Sequence, residues 1–491
     1  MLMEEKKQVI PKEIKHISDV VWEIPTSYKQ GMQVPARIYA TNKLMQQMDA
    51  GVFDQITNVA CLPGIQKYAM CMPDAHWGYG SPVGGVAAFD PEKGGVISPG
   101  IIGYDINCGM RSIVTNLTLE DVRPKIKELI DALFKTVPVG VGAKGVVRVN
   151  KQQFKQVMED GSKWCVDNGY GWEEDLQRTE SYGRIDWADS SKVSEKAISR
   201  GINQIGTLGS GNHYLEIQYV KEEEIFDKKV AEKFGIFPGQ ILIMVHCGSR
   251  GMGHQVATDY IQVFDKAMKK YNITIKDREL SCAPFNSDDG QDYYRAMACS
   301  ANMAFANRQV ILHRIREGFS QVFKKSPEDL GMHLIYDTAH NVAKIEEHRI
   351  EGKKKKLIVH RKGATRAFPP GDPELSPIFK EIGQICVLGG SMQTGSALLL
   401  GIKEAEETFY TTAHGSGRTM SRTRARNEIR GEKLLKEMET QGIYVKSVSM
   451  SGLAEEAGSA YKDFGDVLDS IIKAKLSRPL AILRPLGNLK G

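Results

Sequence analysis

Asp105 and Cys108 lie three residues apart in a glycine-punctuated segment, where the backbone can turn tightly. A carboxylate and a thiolate that are held together can share a divalent cation. Such a pair needs further ligands, and the chain offers His213, His246 and His340 far downstream. The alternative is a buried structural cysteine beside an aspartate in a turn. We predict that the fold brings these three histidines to the Asp–Cys pair.

This mixed ligand set leaves the metal open, because imidazole suits Zn, Cu, Fe and Ni, whereas carboxylate suits Mg and Mn. In one arrangement Cys108 bridges two ions. Asp105 and His213 then complete one site, and His246 and His340 complete the other. Two ions about 3.5–4 Å apart can activate a nucleophile and neutralise charge on a transferring phosphoryl group. A single histidine of this kind is more often an ordinary core or surface residue, so the prediction rests on the set.

A second chemical motif is His414-Gly415-Ser416-Gly417-Arg418. The backbone N–H groups of such a loop, together with the arginine, can cradle a phosphate. The histidine could then act as a covalent nucleophile, as a general acid or base, or only as a hydrogen-bond donor. The spacing does not separate these roles.

Several predicted strands end in polar or glycine-rich residues, and such strand ends commonly carry active-site loops. Short buried strands are predicted at residues 241–245, 333–336, 357–359 and 385–388. They lead to His246, His340, His360 and Gly389, respectively. A further strand is predicted directly after His213.

The remaining chain is read as a mixture of helices and short strands. Helices are predicted at residues 40–48, 118–136 (begun by Thr118), 255–275, 291–325 and 427–441, and over much of 151–235. A strand is predicted at 20–24, a loop plus strand at 138–150, and a hairpin turn at 353–356. Because the candidate ligands run from residue 105 to residue 340, with another histidine at 414, we predict one large α+β domain spanning residues 1–491.

The composition is that of an ordinary globular protein, with 41% apolar and 25% charged residues among 491. A net charge of +5 is compatible with a polyanionic partner but only weakly favours one. The eight cysteines form no CxxC pair, which favours reduced thiols. Charged residues at positions 4–7 and the lack of an apolar stretch of ~18 residues argue against a signal peptide and a membrane span. We therefore expect a cytoplasmic protein.

Five motifs, in this order, closely resemble the RtcB family of GTP-dependent RNA ligases: residues 73–80, 103–109, 206–216, 246–254 and 414–418. The resemblance extends over essentially the whole chain. It implies an enzyme that joins 2′,3′-cyclic phosphate or 3′-phosphate RNA ends to 5′-hydroxyl ends, in tRNA splicing and RNA repair. It also implies two Mn²⁺ ions, GTP, RNA partners such as tRNA halves or broken ends, and an archease-type activator.

The resemblance assigns roles to individual residues. One Mn²⁺ would be held by Cys108, His246 and His340, and the other by Asp105, Cys108 and His213. His414 would take GMP as a phosphoramidate before passing it to an RNA 3′-phosphate, which gives an RNA 3′-pp-5′-G end. The guanylate-binding positions would be Asn212, His213, Tyr214, Leu215, Glu216, His340, Asn341, Gly389, Gly390, Ser391, Met392, Ser396, His414, Gly415, Ser416, Gly417, Tyr461 and Lys490. RNA phosphates would be gripped by Arg200, Arg250 and Arg422.

Near the nucleotide, this chain departs from the family pattern at Gln393, where glycine is usual, and at Ser416, where alanine is usual. We add the hypothesis that Asp74 hydrogen-bonds the other ring nitrogen of His414 and fixes its tautomer. Two rival functions remain open at this point. One is a dimetal phosphoesterase that transfers no nucleotide, and the other is a non-catalytic RNA-binding subunit.

Overall fold

A computed structural model describes residues 10–491 of the chain, so the charged segment 4–7 lies outside the described residues. Its strands are β1 (Lys15–Ser18), β2 (Val21–Ile24), β3 (Ala36–Tyr39), β4 (Ile65–His76), β5 (Val83–Phe89), β6 (Val96–Ile97), β7 (Gly109–Thr118), β8 (Tyr214–Ile225), β9 (Gln240–Cys247), β10 (Ala283–Pro284), β11 (Leu334–Ala339), β12 (Asn341–Ile350), β13 (Lys353–Lys362), β14 (Ala364–Arg366), β15 (Ile385–Gly389), β16 (Ser396–Leu400), β17 (Thr411–Ala413), β18 (Tyr444–Ser447) and β19 (Arg478–Lys490).

The α-helices are α1 (Asn42–Gln46), α2 (Ala50–Val59), α3 (Leu119–Val122), α4 (Ile126–Thr136), α5 (Lys151–Asp160), α6 (Ser162–Asp167), α7 (Glu173–Gln177), α8 (Glu195–Gly201), α9 (Lys228–Lys233), α10 (Arg250–Lys270), α11 (Asp288–Phe323), α12 (Arg422–Glu428), α13 (Gly431–Thr440), α14 (Met450–Glu455) and α15 (Phe464–Lys473). Helices and strands are mixed along the chain, which confirms the α+β class. Across residues 10–491, none of the helices combines the length and the apolar character that crossing a bilayer requires.

Two large sheets form the framework. One has the strand order β1-β2-β3-β4-β5-β13-β12. The other has the order β11-β7-β9-β8-β19-β16-β15, with β18 added parallel to β19. His340 alone separates β11 from β12, so the chain passes from one sheet to the other at this predicted metal ligand.

The second sheet is buried on both faces, which explains the continuous apolar run of β9. Ile241, Ile243 and Val245 pack with residues of α4 and α11 on one face. Leu242 and Met244 pack with β15 and β16 residues on the other face. A strand that is covered on both sides needs apolar residues at every position.

Most of the predicted elements near the site are confirmed. The strands predicted at 241–245, 333–336, 357–359 and 385–388 all form, with β11 beginning at Leu334, and α10 and α11 correspond to the two predicted helices. Thr118 caps its helix through a reciprocal hydrogen-bonded pair with Asp121. The helix is then interrupted by a 3₁₀ turn at Arg123–Lys125, where Pro124 lacks an amide hydrogen.

Three local predictions are wrong. Residues 138–150 form no strand; a single bridge joins Val139 to Gly209. Lys353 to Lys356 are not a turn but the beginning of β13, since the reversal occurs at Glu351 and Gly352, which both have positive φ. The strand at 357–359 does not end at His360 but continues to Lys362.

Candidate active site

Strand registers bring the predicted ligands to one edge of the second sheet. Gly109, the first residue of β7, pairs with Cys247 of β9 on one side and with Ala339 of β11 on the other. His246 of β9 pairs with Tyr214, the first residue of β8. His246 is one of these paired positions, and Cys108, His213 and His340 are directly adjacent to them. Asp105 lies in the segment that leads into β7.

The ligand atoms form two clusters that share Cys108. Its Sγ lies 3.1 Å from Nε2 of His246 and 3.4 Å from Nε2 of His213. Nε2 of His340 lies 3.2 Å from Nε2 of His246, and Nε2 of His213 lies 2.8 Å from a carboxylate oxygen of Asp105. The structure thus brings together both sets, Cys108/His246/His340 and Asp105/Cys108/His213, each with its ligand atoms within 4.8 Å of one another.

These donors fit a divalent cation. Nδ1 of His213 lies 3.1 Å from the Leu208 carbonyl, and Nδ1 of His246 lies 3.0 Å from the Asn212 carbonyl. A carbonyl only accepts, so Nδ1 of His246 donates its hydrogen and Nε2 presents a lone pair to the cluster. Nδ1 of His213 faces a donor as well, because the Arg250 guanidinium lies 3.0 Å away, so the Leu208 contact alone does not fix the tautomer of His213. Burial lowers the pKa of His246, which favours the neutral, ligating form. Burial raises the pKa of Cys108 to about 12, so a cation is what would convert it to a thiolate.

Asp105 is fixed from two sides. The Ser249 backbone N–H donates to its carboxylate at 2.9 Å, and the Asn341 side chain donates to its carbonyl at 3.0 Å. Gly248 makes this close approach feasible, because a Cβ at that position would lie 2.3 Å from the carboxylate.

His414 follows β17 and pairs with Asp74. Its Nδ1 lies 2.6 Å from the buried Asp74 carboxylate, which also accepts the backbone N–H of Gly415 at 3.2 Å. The ring centroid is 4.6 Å from that of His340. Since Nδ1 faces the carboxylate, Nε2 is the nitrogen left for chemistry in the cavity. Gly417 is required at its position: its φ is +72°, and a Cβ would lie 2.0 Å from the Asp74 carbonyl.

Lys462 holds the Asp74 segment in place. Its buried ammonium donates to the carbonyls of Pro73 at 3.1 Å and Ala75 at 2.6 Å, on either side of Asp74. Burial lowers the pKa of Lys462 to about 8. Sequence reasoning missed this residue, which lies in none of the motifs.

A cavity of about 260 Å³ opens beside the clusters and His414. Its lining includes these residues from the predicted nucleotide set: Asn212, Tyr214, Glu216, His340, Asn341, Gly389, Gly390, Ser391, Met392, His414, Gly415, Ser416, Gly417, Tyr461 and Lys490. His213 lies behind this surface in its cluster. Leu215 points into the core next to α4 and α11, and Ser396 is buried and accepts a hydrogen bond from Gln218 at 3.1 Å.

One end of the cavity is polar. The Glu216 carboxylate accepts from Asn488 at 2.6 Å and from Gln218 at 2.5 Å, and burial raises its pKa to about 7. Sequence reasoning missed Asn488, although it lies two residues before Lys490 in β19, where alternate side chains share a face.

Glu456 is the second residue that was missed at this end. It accepts from the Tyr461 hydroxyl at 2.5 Å and from Lys490 at 3.2 Å. No sequence motif surrounds it, so no signal could have identified it.

Of the four arginines predicted to contact phosphate groups, Arg418 and Arg422 line the cavity, whereas Arg200 and Arg250 are not part of its lining. Arg418 donates to Met420, Glu455 and Tyr461 at 2.7–3.1 Å, so a phosphate would compete with these contacts. Arg422 is half exposed and lines the cavity. Arg250 lies 3.0 Å from Nδ1 of His213, and Arg200 donates to Gln255 at 2.9 Å.

Of two other histidines, His360 lies outside the cavity lining and His76 belongs to it. His360 is buried against Phe89, at a ring-centroid distance of 5.1 Å, and is absent from the cavity lining. Its place there is taken by Lys362, the last residue of β13. His76 does line the cavity, and its Nδ1 lies 3.1 Å from the Asp74 carbonyl.

Comparisons with known proteins agree on one family. A family model described as "tRNA-splicing ligase RtcB" matches residues 55–491. A "tRNA-splicing ligase RtcB" of Archaeoglobus fulgidus is 52% identical over 479 residues, which cover 97% of this chain and 99% of the relative. One of Thermococcus kodakarensis is 50% identical over 487 residues, covering 99% and 100%, and one of Methanococcus maripaludis is 49% identical over 479 residues, covering 97% and 99%.

Proposed function

The chain belongs to the RtcB family, and on this premise we propose that it is an RNA ligase that acts in tRNA splicing and RNA repair. It joins 2′,3′-cyclic phosphate or 3′-phosphate ends to 5′-hydroxyl ends. The observation that carries the proposal is the convergence of two metal-type clusters and the Asp74–His414 pair on one cavity.

In the first step, Nε2 of His414 attacks the α-phosphorus of GTP. A P–N bond forms, the P–O bond to pyrophosphate breaks, and pyrophosphate leaves with the bonding electrons. Asp74 accepts a hydrogen bond from Nδ1 of His414, with 2.6 Å between the nitrogen and the carboxylate oxygen. Its negative charge stabilises the positive charge that the ring gains when Nε2 bonds to phosphorus. The neighbouring backbone N–H of Gly415 keeps the carboxylate oriented toward the ring.

Two Mn²⁺ ions would be held by Cys108/His246/His340 and by Asp105/Cys108/His213. When bound, they would neutralise phosphate charge and activate water. The Asp105 carboxylate is a ligand type that suits Mn²⁺. Burial lowers the pKa of His246 and of His340, which favours their neutral, ligating forms.

The cavity supports a guanine nucleotide as co-substrate. Oγ of Ser416 and Oδ1 of Asn488 are buried and have no hydrogen-bond partner among the described residues, and both residues line the cavity, so each atom retains a hydrogen bond that a ligand could satisfy. Glu216 and Lys490 add an acceptor and a donor nearby. Tyr461 offers an aromatic ring in the same lining.

In the later steps, water opens the cyclic phosphate to a 3′-phosphate. A 3′-phosphate oxygen then attacks the phosphorus on His414, the P–N bond breaks, and the RNA 3′-pp-5′-G end forms. The 5′-hydroxyl attacks the RNA-proximal phosphorus, loses its proton and displaces GMP. Arg200, Arg250 and Arg422 grip the RNA phosphates. We further propose one functional unit over residues 1–491, a cytoplasmic setting and an archease-type activator.

The buried Asp74–His414 pair favours a ligase over a dimetal phosphoesterase, because hydrolysis by paired ions needs no activated imidazole in the cavity. It also favours a ligase over a non-catalytic RNA-binding subunit, which would need neither the pair nor the clusters.

The test is ligation of a defined RNA pair, one end carrying a 2′,3′-cyclic phosphate and the other a 5′-hydroxyl, with GTP and Mn²⁺. Wild type and His333→Ala, a variant of an exposed histidine, should give joined product, whereas His414→Ala should give none. Phosphate hydrolysis without joining would identify the phosphoesterase. RNA binding without any reaction would identify the binding subunit.

A further inference from the structure

A fully buried Arg–Asp–Arg group lies behind the Cys108/His246/His340 cluster. The Asp337 carboxylate accepts from Arg308 at 2.8 Å and from Arg111 at 2.6 Å, and all three side chains are 0% exposed. We call Arg111, Arg308 and Asp337 the buried triad.

The buried triad connects the three strands that supply the cluster. Arg111 is in β7, three residues after Cys108, and Asp337 is in β11, three residues before His340. Arg308 comes from α11 and contacts β9, the strand that contains His246.

Arg308 also holds the backbone beside two ligands. Its Nη1 donates at 2.8 Å to the carbonyl of Asn107, next to Cys108, and at 2.8 Å to the carbonyl of Cys247, next to His246. One guanidinium therefore touches the backbone next to two ligands and the carboxylate on the strand of the third. The planar fork of arginine can make these contacts together, whereas a lysine ammonium offers a single point of contact.

The Asn107 contact restrains an unusual backbone conformation. Asn107 has a φ of +56°, which is uncommon for a residue with a side chain. Its N–H donates to the Asn341 carbonyl at 2.6 Å, and its side-chain amide donates to the Ala301 carbonyl at 3.0 Å. Conformations of this kind persist where the surroundings impose them, as Arg308 and Asn341 do here.

We propose that Arg308 is a positioning residue that sets the spacing of Cys108, His246 and His340 and thereby their affinity for a divalent cation. Replacing a buried ion pair by well-packed apolar groups is often neutral or stabilising, so stability alone is a weak reason for three buried charges at this place. The metal-binding part of the inference rests on the proposed function. The contacts of Arg308 do not depend on it.

The same helix contains a matched control. Arg316 forms a buried two-point pair with Asp175, with both contacts at 2.8 Å, and donates to the Met332 carbonyl at 3.0 Å. Its hydrogen bonds reach neither Asn107 nor Cys247. Arg308→Lys and Arg316→Lys therefore each disturb a buried arginine–aspartate contact. Only the Arg308 side chain also contacts the backbone next to the metal ligands.

The experiment titrates the full chain with Mn²⁺ and with Co²⁺, whose thiolate charge-transfer absorption reports the Cys108 bond. We expect Arg308→Lys to weaken metal binding by roughly 10- to 100-fold and to shift the cobalt absorption. Arg316→Lys should lower the Tm to a similar extent but leave metal affinity and absorption unchanged. Equal metal affinities in the two variants would overturn the proposal.

If Arg308→Lys does not fold, the comparison of Asp337→Asn with Asp175→Asn decides the question by the same readouts. The result of this comparison can be distinguished from the result of the ligation test. Wild type that binds the ions but does not ligate RNA would refute the ligase and leave this comparison valid. Wild type that shows no cobalt–thiolate absorption would refute the metal assignment itself.

Discussion

At the scale of single residues, the Asp74–His414 contact gives the sharpest prediction. Asp74→Asn keeps the size of the side chain but removes the charge that, in the proposed mechanism, stabilises the ring during attack on GTP. The rate of GMP transfer to protein should fall by roughly 10²–10⁴-fold, measured with [α-³²P]GTP in single-turnover reactions. Asp54→Asn, a change at an exposed carboxylate, is the control. A wild-type rate in Asp74→Asn would remove Asp74 from the mechanism.

Ser416 gives a second prediction at this scale, with opposite effects on the free and the nucleotide-bound protein. Its buried hydroxyl has no partner among residues 10–491, so Ser416→Ala removes an unsatisfied group and should leave the Tm of the free protein equal or higher. If the hydroxyl bonds the nucleotide, the same change should weaken GTP binding by about 1 kcal/mol, roughly fivefold, in calorimetry. Unchanged GTP affinity would show that the hydroxyl does not contact the nucleotide.

At the scale of elements, the pairing of β8 with β19 buries Glu216 opposite Asn488. Burial raises the pKa of Glu216 from 4.5 to about 7, so between these pH values the folded state binds a proton that the unfolded state does not. This carboxyl therefore lowers stability as pH rises from about 4.5 to 7, by at most roughly 3 kcal/mol.

Glu216→Gln removes that titration. The Tm of the metal-free variant, relative to wild type, should accordingly rise between pH 4.5 and 7 and then level off. The measurement is thermal unfolding of both proteins across this range. A difference in Tm that does not vary with pH would contradict the account.

The sequence predicts the elements near the site better than it predicts which way their side chains point. Apolar runs identify β9, β11 and β15 because these strands are covered on both faces. An apolar run does not show the register in which a strand pairs with its neighbours, and a shift by one residue moves every side chain to the opposite face of the sheet. The nucleotide segment 212–216, which the resemblance assigns as one continuous stretch, accordingly contains both Glu216, in the cavity, and Leu215, in the core.

Contacts between distant elements escaped prediction for a related reason. Lys462 and Glu456 act through carbonyls and side chains that are remote in sequence, and neither residue lies in a motif. His360 was misjudged because nothing in the sequence shows that β13 continues past it. By contrast, Asp105, Cys108, His213, His246 and His414 are recognisable because they lie in family motifs, and His340 is recognisable because it follows a predicted buried strand.

At the scale of the whole molecule, the two clusters connect chain segments from residue 105 to residue 340, and His340 is the crossing point between the sheets. Ions that bind only the folded state should therefore stabilise the whole fold. Saturating Mn²⁺ at about 100 times its Kd would add about 2.7 kcal/mol.

The corresponding prediction is a rise in Tm when Mn²⁺ is added to the chelator-treated protein. The rise should be much smaller in Cys108→Ala, which removes the ligand that both clusters share. An equal rise in the two proteins would mean that Mn²⁺ binds elsewhere.

The central claim is that His414 accepts GMP in a cavity beside paired cations, and covalent labelling tests it most directly. Wild-type protein incubated with [α-³²P]GTP and Mn²⁺ should acquire an acid-labile label and release pyrophosphate in equal amount, whereas His414→Ala should acquire none. An unlabelled wild-type protein, or a label that persists in His414→Ala, would contradict the account.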